Sequence, residues 1–234
     1  MRNPKILAVV IGAIYVLFLH FLYSNNIPYA QNTSALIIPL IALAYFCHVD
    51  KKSVFFTLFL ILYSLSELLG FFHHLMPESL DYIVGNGLYV LAFVALTIEI
   101  SRNLSLIHII KKYWFSIIIL ILLNCYITYI LIEVVYPEFY LEFEYFLELI
   151  YDISMLMVLS FALLKYLNCG SEKAFYFLVG AICIVFSDVL NVAYLYVSKQ
   201  KVFSVFIVSL DLIGFYFFYA QAKLRYRKKK EVTF

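Results

Sequence analysis

The chain has 234 residues, 65% of them hydrophobic and only 14% charged, with seven glycines and a net charge of +2. That balance excludes both an ordinary soluble domain and a disordered chain. Apolar stretches near the ~20 residues needed to cross a bilayer recur from end to end. The reading is therefore all-α: a polytopic membrane protein with a single domain over residues 1–222 and a basic tail over 223–234.

Eight transmembrane helices are expected, at residues 6–23, 32–48, 53–72, 82–100, 113–132, 143–164, 174–197 and 202–221. The first follows basic residues, as a signal peptide would, but Ser24 to Gln31 offers no small-residue cleavage site, so it is read as a retained helix. The second is the shortest and contains Pro39, which a membrane helix tolerates when neighbouring groups satisfy the freed carbonyl.

Residues three, four and seven apart share a helical face. On the third span that places Tyr63, Ser64, Glu67, Gly70 and His74 together. The fourth span ends near Glu99 and the fifth near Glu133, both read as boundary residues, whereas Asn124 and Thr128 in the fifth are read as interhelical hydrogen-bonding groups. On the sixth, Tyr145, Glu148, Asp152 and Met155 align, although Glu148 is near enough to the helix end to reach solvent. On the seventh, Asp188 follows Ser187 and shares a face with Asn191, and the eighth carries Asp211.

A carboxylate at the centre of a membrane helix costs roughly 2.5 to 3.5 kcal/mol on insertion scales, so Glu67 and Asp188 are the leading candidates for function. Three polar stripes that would otherwise face lipid imply an internal cavity. Tyr63, Ser64, His74, Glu148, Asp152, Ser187, Asn191 and Asp211 are expected to line it.

Charge placement gives the orientation. With the N-terminus cytoplasmic, all of the 17 basic residues except Lys199 and Lys201 fall on inner segments, which predicts both termini inside. The tail from Lys223 through Lys230 then anchors the last helix and meets anionic lipid, with nucleic acid not expected as a partner. The four cysteines form no CxxC pair, His73 and His74 diverge on a helix, and there is no HxxxH or HExxH, so neither a metal nor another cofactor is expected.

Ser66-Glu67-Leu68-Leu69 is similar to Ser187-Asp188-Val189-Leu190, and Ser34, Leu36, Ala42 and Leu43 match Ser154, Leu156, Ala162 and Leu163 at nearly the same offset. These matches are compatible with a 4+4 parallel pseudo-repeat and equally with chance.

Gly180-Ala181 through Phe186-Ser187-Asp188 to Leu190 resembles the late motif of the YhhN family of eight-span membrane proteins, which includes the lysoplasmalogenases. Thr33 through Pro39-Leu40, Ser64 to Leu69 and Gly85 to Ala92 resemble its earlier motifs, and the resemblance covers residues 30–197. The chain departs from the family at Ser34-Ala35, where Lys-Pro is usual, at Glu67, usually Asp, and at Phe93, usually His.

The resemblance implies an ether hydrolase that cleaves the vinyl ether of a lysoplasmalogen into a fatty aldehyde and a glycerophospho head group. Glu67 and Asp188 would be its catalytic pair, a bilayer lipid its substrate, and a bacterial plasma membrane its setting. One neutral acid protonates the vinyl carbon while an ionised partner stabilises the cation or activates water. The alternative is a non-catalytic or transporter-like protein using the same acids as relay or binding groups. Oligomeric state and head-group preference are left open by the sequence.

Overall fold

The structure, a computed structural model, describes residues 4–75, 77–102, 104, 106–136 and 142–231. Among these residues the fold is helical throughout: α1 (Pro4–Tyr23), α2 (Ile27–Ala35), α3 (Ile37–His48), α4 (Val54–Leu69), α5 (Glu78–Ser101), α6 (Leu106–Val135), α7 (Glu142–Cys169), α8 (Glu172–Val192) and α9 (Lys201–Glu231). Eight helical segments are long and apolar enough to cross a membrane, α2 and α3 together forming one of them.

The second segment differs from its expected form. It begins at Ile27, because Pro28 occupies the first helical turn, where a missing N–H costs nothing. It then breaks at Leu36, one turn ahead of Pro39. Pro39 has no N–H to give the carbonyl of Ala35 and its ring crowds that carbonyl, so the regular ladder stops and resumes with Leu40 N donating to Leu36 O at 3.2 Å.

Other boundaries follow local chemistry. Asn25 adopts φ 60° after α1, a left-handed conformation that asparagine tolerates at a helix end. Gly170 does the same at φ 55° after α7, and Ser171 caps α8 by accepting from Ala174 N at 3.2 Å. Tyr113 departs from helical geometry near the start of α6, at the residue where the expected span begins. The helix α9 continues through Glu231, so the basic tail prolongs the last span as helix; its side chains beyond Leu224 lie outside the described residues.

Packing divides the bundle lengthwise. At the end holding the start of α1, the end of α3 and the start of α4, the core is aromatic and aliphatic: Phe56, Phe59, Phe93, Leu96, Phe177, Phe215 and Phe218 are buried. Phe59 stacks on Phe215 with ring centroids 5.6 Å apart. With lipid as solvent, such packing, rather than expulsion of water, holds the helices together.

Here α8 and α9 approach most closely. A Cβ at Gly180 would lie 2.5 Å from Phe218 Cε1 and 3.1 Å from Gly214 O, and one at Gly214 would lie 3.2 Å from Gly180 O. Glycine at both positions is what permits this contact. The outer surface of the bundle is apolar, with Val9, Ile107, Phe115, Leu122 and Tyr216 among the exposed side chains. Between α6 and α7, Asn124 Nδ2 donates to Ser160 Oγ at 2.8 Å, the interhelical role expected of Asn124.

Two expectations about boundary acids change. Glu99 is only 6% exposed and accepts a hydrogen bond from Ser53 Oγ. Glu148, which could have reached solvent, is 9% exposed and bonded inside the bundle. Glu99 is held by the hydroxyl of Ser53, the residue before α4, and Glu148 by that of Tyr82 on α5, and each hydroxyl replaces the water the acid would otherwise need.

Candidate functional site

The opposite half of the bundle opens into a cavity of about 490 Å³. Helix direction explains its position. Along α4 the buried phenylalanines give way to Tyr63, Ser66 and Glu67, while along α5 the order runs Tyr82, Gly85, Asn86, Tyr89 and only then Phe93. Along α8, Ser187, Asp188 and Asn191 follow the Gly180 contact, and along α9 Asp211 precedes it. The polar ends of these helices therefore meet at one level.

Of the residues expected from sequence, Tyr63, Glu67, Glu148, Asp152, Ser187, Asp188, Asn191 and Asp211 line this cavity. Ser64 does not; it is buried beside the lining, its Oγ without a hydrogen-bond partner. His74 lies in the 3-10 turn Gly70–Leu75, and its side chain is outside the described residues.

A chain of hydrogen bonds ties the walls together. Ser66 Oγ donates to Gly85 O at 2.9 Å and Tyr89 Oη to Glu67 Oε1 at 2.9 Å, joining α4 to α5. Tyr82 Oη donates to Glu148 Oε2 at 2.6 Å, joining α5 to α7. The Tyr151 hydroxyl interacts with Asp188 across α7 and α8, and Ser187 Oγ donates to Ile207 O at 3.1 Å across α8 and α9. Because these bonds run between different helices, the constellation fixes the lining helices relative to one another.

Three tyrosines of this ring, Tyr82, Tyr89 and Tyr151, were not singled out in the sequence. The signal was present for the first two: Tyr82, Gly85, Asn86 and Tyr89 form a polar and small-residue stripe at helical spacing on α5. Tyr151 shares the cavity face of α7 with Glu148 and Met155.

Several oxygens remain open. Asp152 is 1% exposed, and its Oδ2, like Asp188 Oδ2 and Asp211 Oδ1, has no hydrogen-bond partner. Asp188 shares the cavity lining with Asp211, Asp152 and Glu67. Among the described lining residues there is no Lys, Arg or His. Like charges crowded in a medium of low dielectric repel strongly, so a lining of this kind is complementary to a positively charged species. Among the described residues no three His, Cys, Asp or Glu side chains converge as a metal site, and all four cysteines are free thiols.

Among the described residues, fold and site together define a helical protein with eight segments of membrane-crossing length and a buried, acid-lined cavity. No family model, curated protein or solved structure matches the chain.

Proposed function

We propose that this protein is a membrane-embedded ether-lipid hydrolase of the lysoplasmalogenase type, with Glu67 and Asp188 as its catalytic pair. The observation that carries the reading is that these two carboxyls, from separate helices, open on one buried cavity. The motif resemblance to the YhhN family around Ser64 to Leu69 and Gly180 to Leu190 supports the same assignment.

The chemistry needs no metal. A protonated carboxyl delivers its proton to the β-carbon of the vinyl ether, turning the adjacent carbon and the ether oxygen into an oxocarbenium ion. The second carboxyl, ionised, stabilises that cation and takes a proton from the water that attacks it. The resulting hemiacetal collapses to a fatty aldehyde and the free glycerol hydroxyl, and the proton released at water addition restores the starting charge of the pair. Ile37, Ile38, Leu131, Met155 and Val192 give the alkenyl chain an apolar wall.

The reading includes an orientation and a setting. The basic end of the bundle faces the cytoplasm, both termini lie on that side, and the host membrane is a bacterial plasma membrane.

A second reading, a non-catalytic carrier or binding protein for a cation, draws on the acidic lining without a basic side chain. One experiment separates the two. Purified protein in detergent is incubated with a lysoplasmalogen and with an ordinary acyl lysophospholipid, and aldehyde and fatty acid are measured. Aldehyde from the first substrate alone is expected. Its absence with correctly folded protein sinks the hydrolase reading and leaves the carrier.

A further inference from the structure

On the outside of the bundle, away from the acidic cavity, α1, α3 and α9 enclose a second space of about 470 Å³. Its walls are apolar along their length, with Leu7 and Ile11 from α1, Ile41 from α3 and Leu212 from α9. The space exists because α1 and α9 touch sparingly and because Gly12 contributes no side chain: a Cβ there would meet nothing within 4 Å.

The groove has one polar end. His48 closes α3, and Lys223 stands at the matching level of α9, with its Nζ 4.5 Å from the centroid of the Tyr219 ring. His48 Nδ1 is bonded to Ala44 O at 2.9 Å, while its Nε2 is buried and has no partner. Because Nδ1 donates to that carbonyl, Nε2 is left as a lone-pair acceptor, open to a donor such as a hydroxyl of a glycerol head group. Exposed Lys51 and Lys52 follow on the same end, opposed by the exposed Asp50.

The dimensions suit a chain. From Lys223 to Leu212 the groove runs roughly 16 Å along α9, at about 1.5 Å per residue. An apolar slot of this length, open at the lipid-facing surface and positive at one end, is complementary to an anionic amphiphile whose head group stays at the membrane surface.

We propose that this groove is a binding site for an anionic phospholipid of the surrounding bilayer, one acyl chain lying between α1, α3 and α9 and the phosphate paired with Lys223. The site is separate from the acidic cavity and does not depend on what that cavity does.

Native mass spectrometry of the full chain in detergent tests this, with phosphatidylglycerol, phosphatidylcholine and oleate offered at equal concentration. The wild type is expected to retain phosphatidylglycerol about fivefold over phosphatidylcholine, the discrimination one lysine gives near an anionic head group. Lys223→Gln brings the two to parity, Gly12→Phe lowers retention of both, and Lys112→Gln, at the same end of the bundle but outside the groove, changes neither. Should Gly12→Phe fail to fold, the exposed Lys223→Gln and Lys112→Gln pair still decides. Equal retention of the two phospholipids by the wild type, an equal loss in Lys112→Gln, or retention of oleate in place of phosphatidylglycerol overturns the proposal.

Discussion

Tyr89 donates to Glu67 at 2.9 Å while its ring packs edge-on against Tyr63, centroids 4.7 Å apart. One tyrosine thus fixes both the position of an acid and the aromatic floor beneath it. Tyr89→Phe keeps the ring and removes the bond, leaving Glu67 short of a partner at a cost of about 1 to 3 kcal/mol. The expected result is a lower melting temperature in detergent together with reduced aldehyde release. An unchanged melting temperature shows that water replaces the hydroxyl.

Glu67→Gln and Asp188→Asn remove the proton chemistry while keeping shape. Each is expected to lower aldehyde release by about 10² to 10⁴-fold, the range associated with a positioned acid or base. Stability moves the other way for whichever of the two is ionised, because a neutral amide in this like-charged cavity relieves repulsion. Melting curves rising while turnover falls are the signature of a functional acid.

The close contact of α8 and α9 makes Gly180 intolerant of even one carbon. Gly180→Ala drives a Cβ into the Phe218 ring and toward the backbone oxygen of Gly214. Overpacking of this kind costs about 1 to 3 kcal/mol. Thermal unfolding is expected several degrees earlier, and Phe218→Leu added to Gly180→Ala recovers part of the loss. Recovery is incomplete because the backbone oxygen cannot move aside.

Orientation is accessible through a native thiol. Cys169 is exposed at the end of α7, on the basic end of the bundle. A membrane-impermeant maleimide is expected to leave it unmodified in intact cells and to modify it in inside-out vesicles. The reverse pattern inverts the proposed topology.

Much of this arrangement was legible in the sequence because an acid in an apolar helix is conspicuous. Glu67, Asp188 and Asp211 need no context to be noticed, and their spacing to Tyr63 and Asn191 gives the face. A tyrosine taken alone carries no such signal: the chain has 21, and Tyr29, Tyr126 and Tyr129 point outward, so Tyr82 and Tyr89 are marked only by the stripe they form with Gly85 and Asn86. Glu99 misled for the opposite reason. A carboxyl near a helix end is ordinarily solvated, and only the fold brings Ser53 to it. Pro39 announced an irregularity, but the break falls at Leu36, because the carbonyl a proline leaves unsatisfied lies one turn earlier.

That break has a testable effect of its own. Pro39→Ala restores a donor for the Ala35 carbonyl and is expected to slow amide hydrogen exchange at Leu36 to Leu40 while raising the melting temperature. Exchange as fast as in the wild type means the bend is held by packing and not by proline.

The interruption at Leu36 also separates two tasks within the cavity wall. Ser34, on one side of it, and Ile37 and Ile38, on the other, face the interior, while every carboxyl of the lining belongs to α4, α5, α7, α8 or α9. A change at that bend therefore acts on the cavity wall through a segment that carries none of its acids.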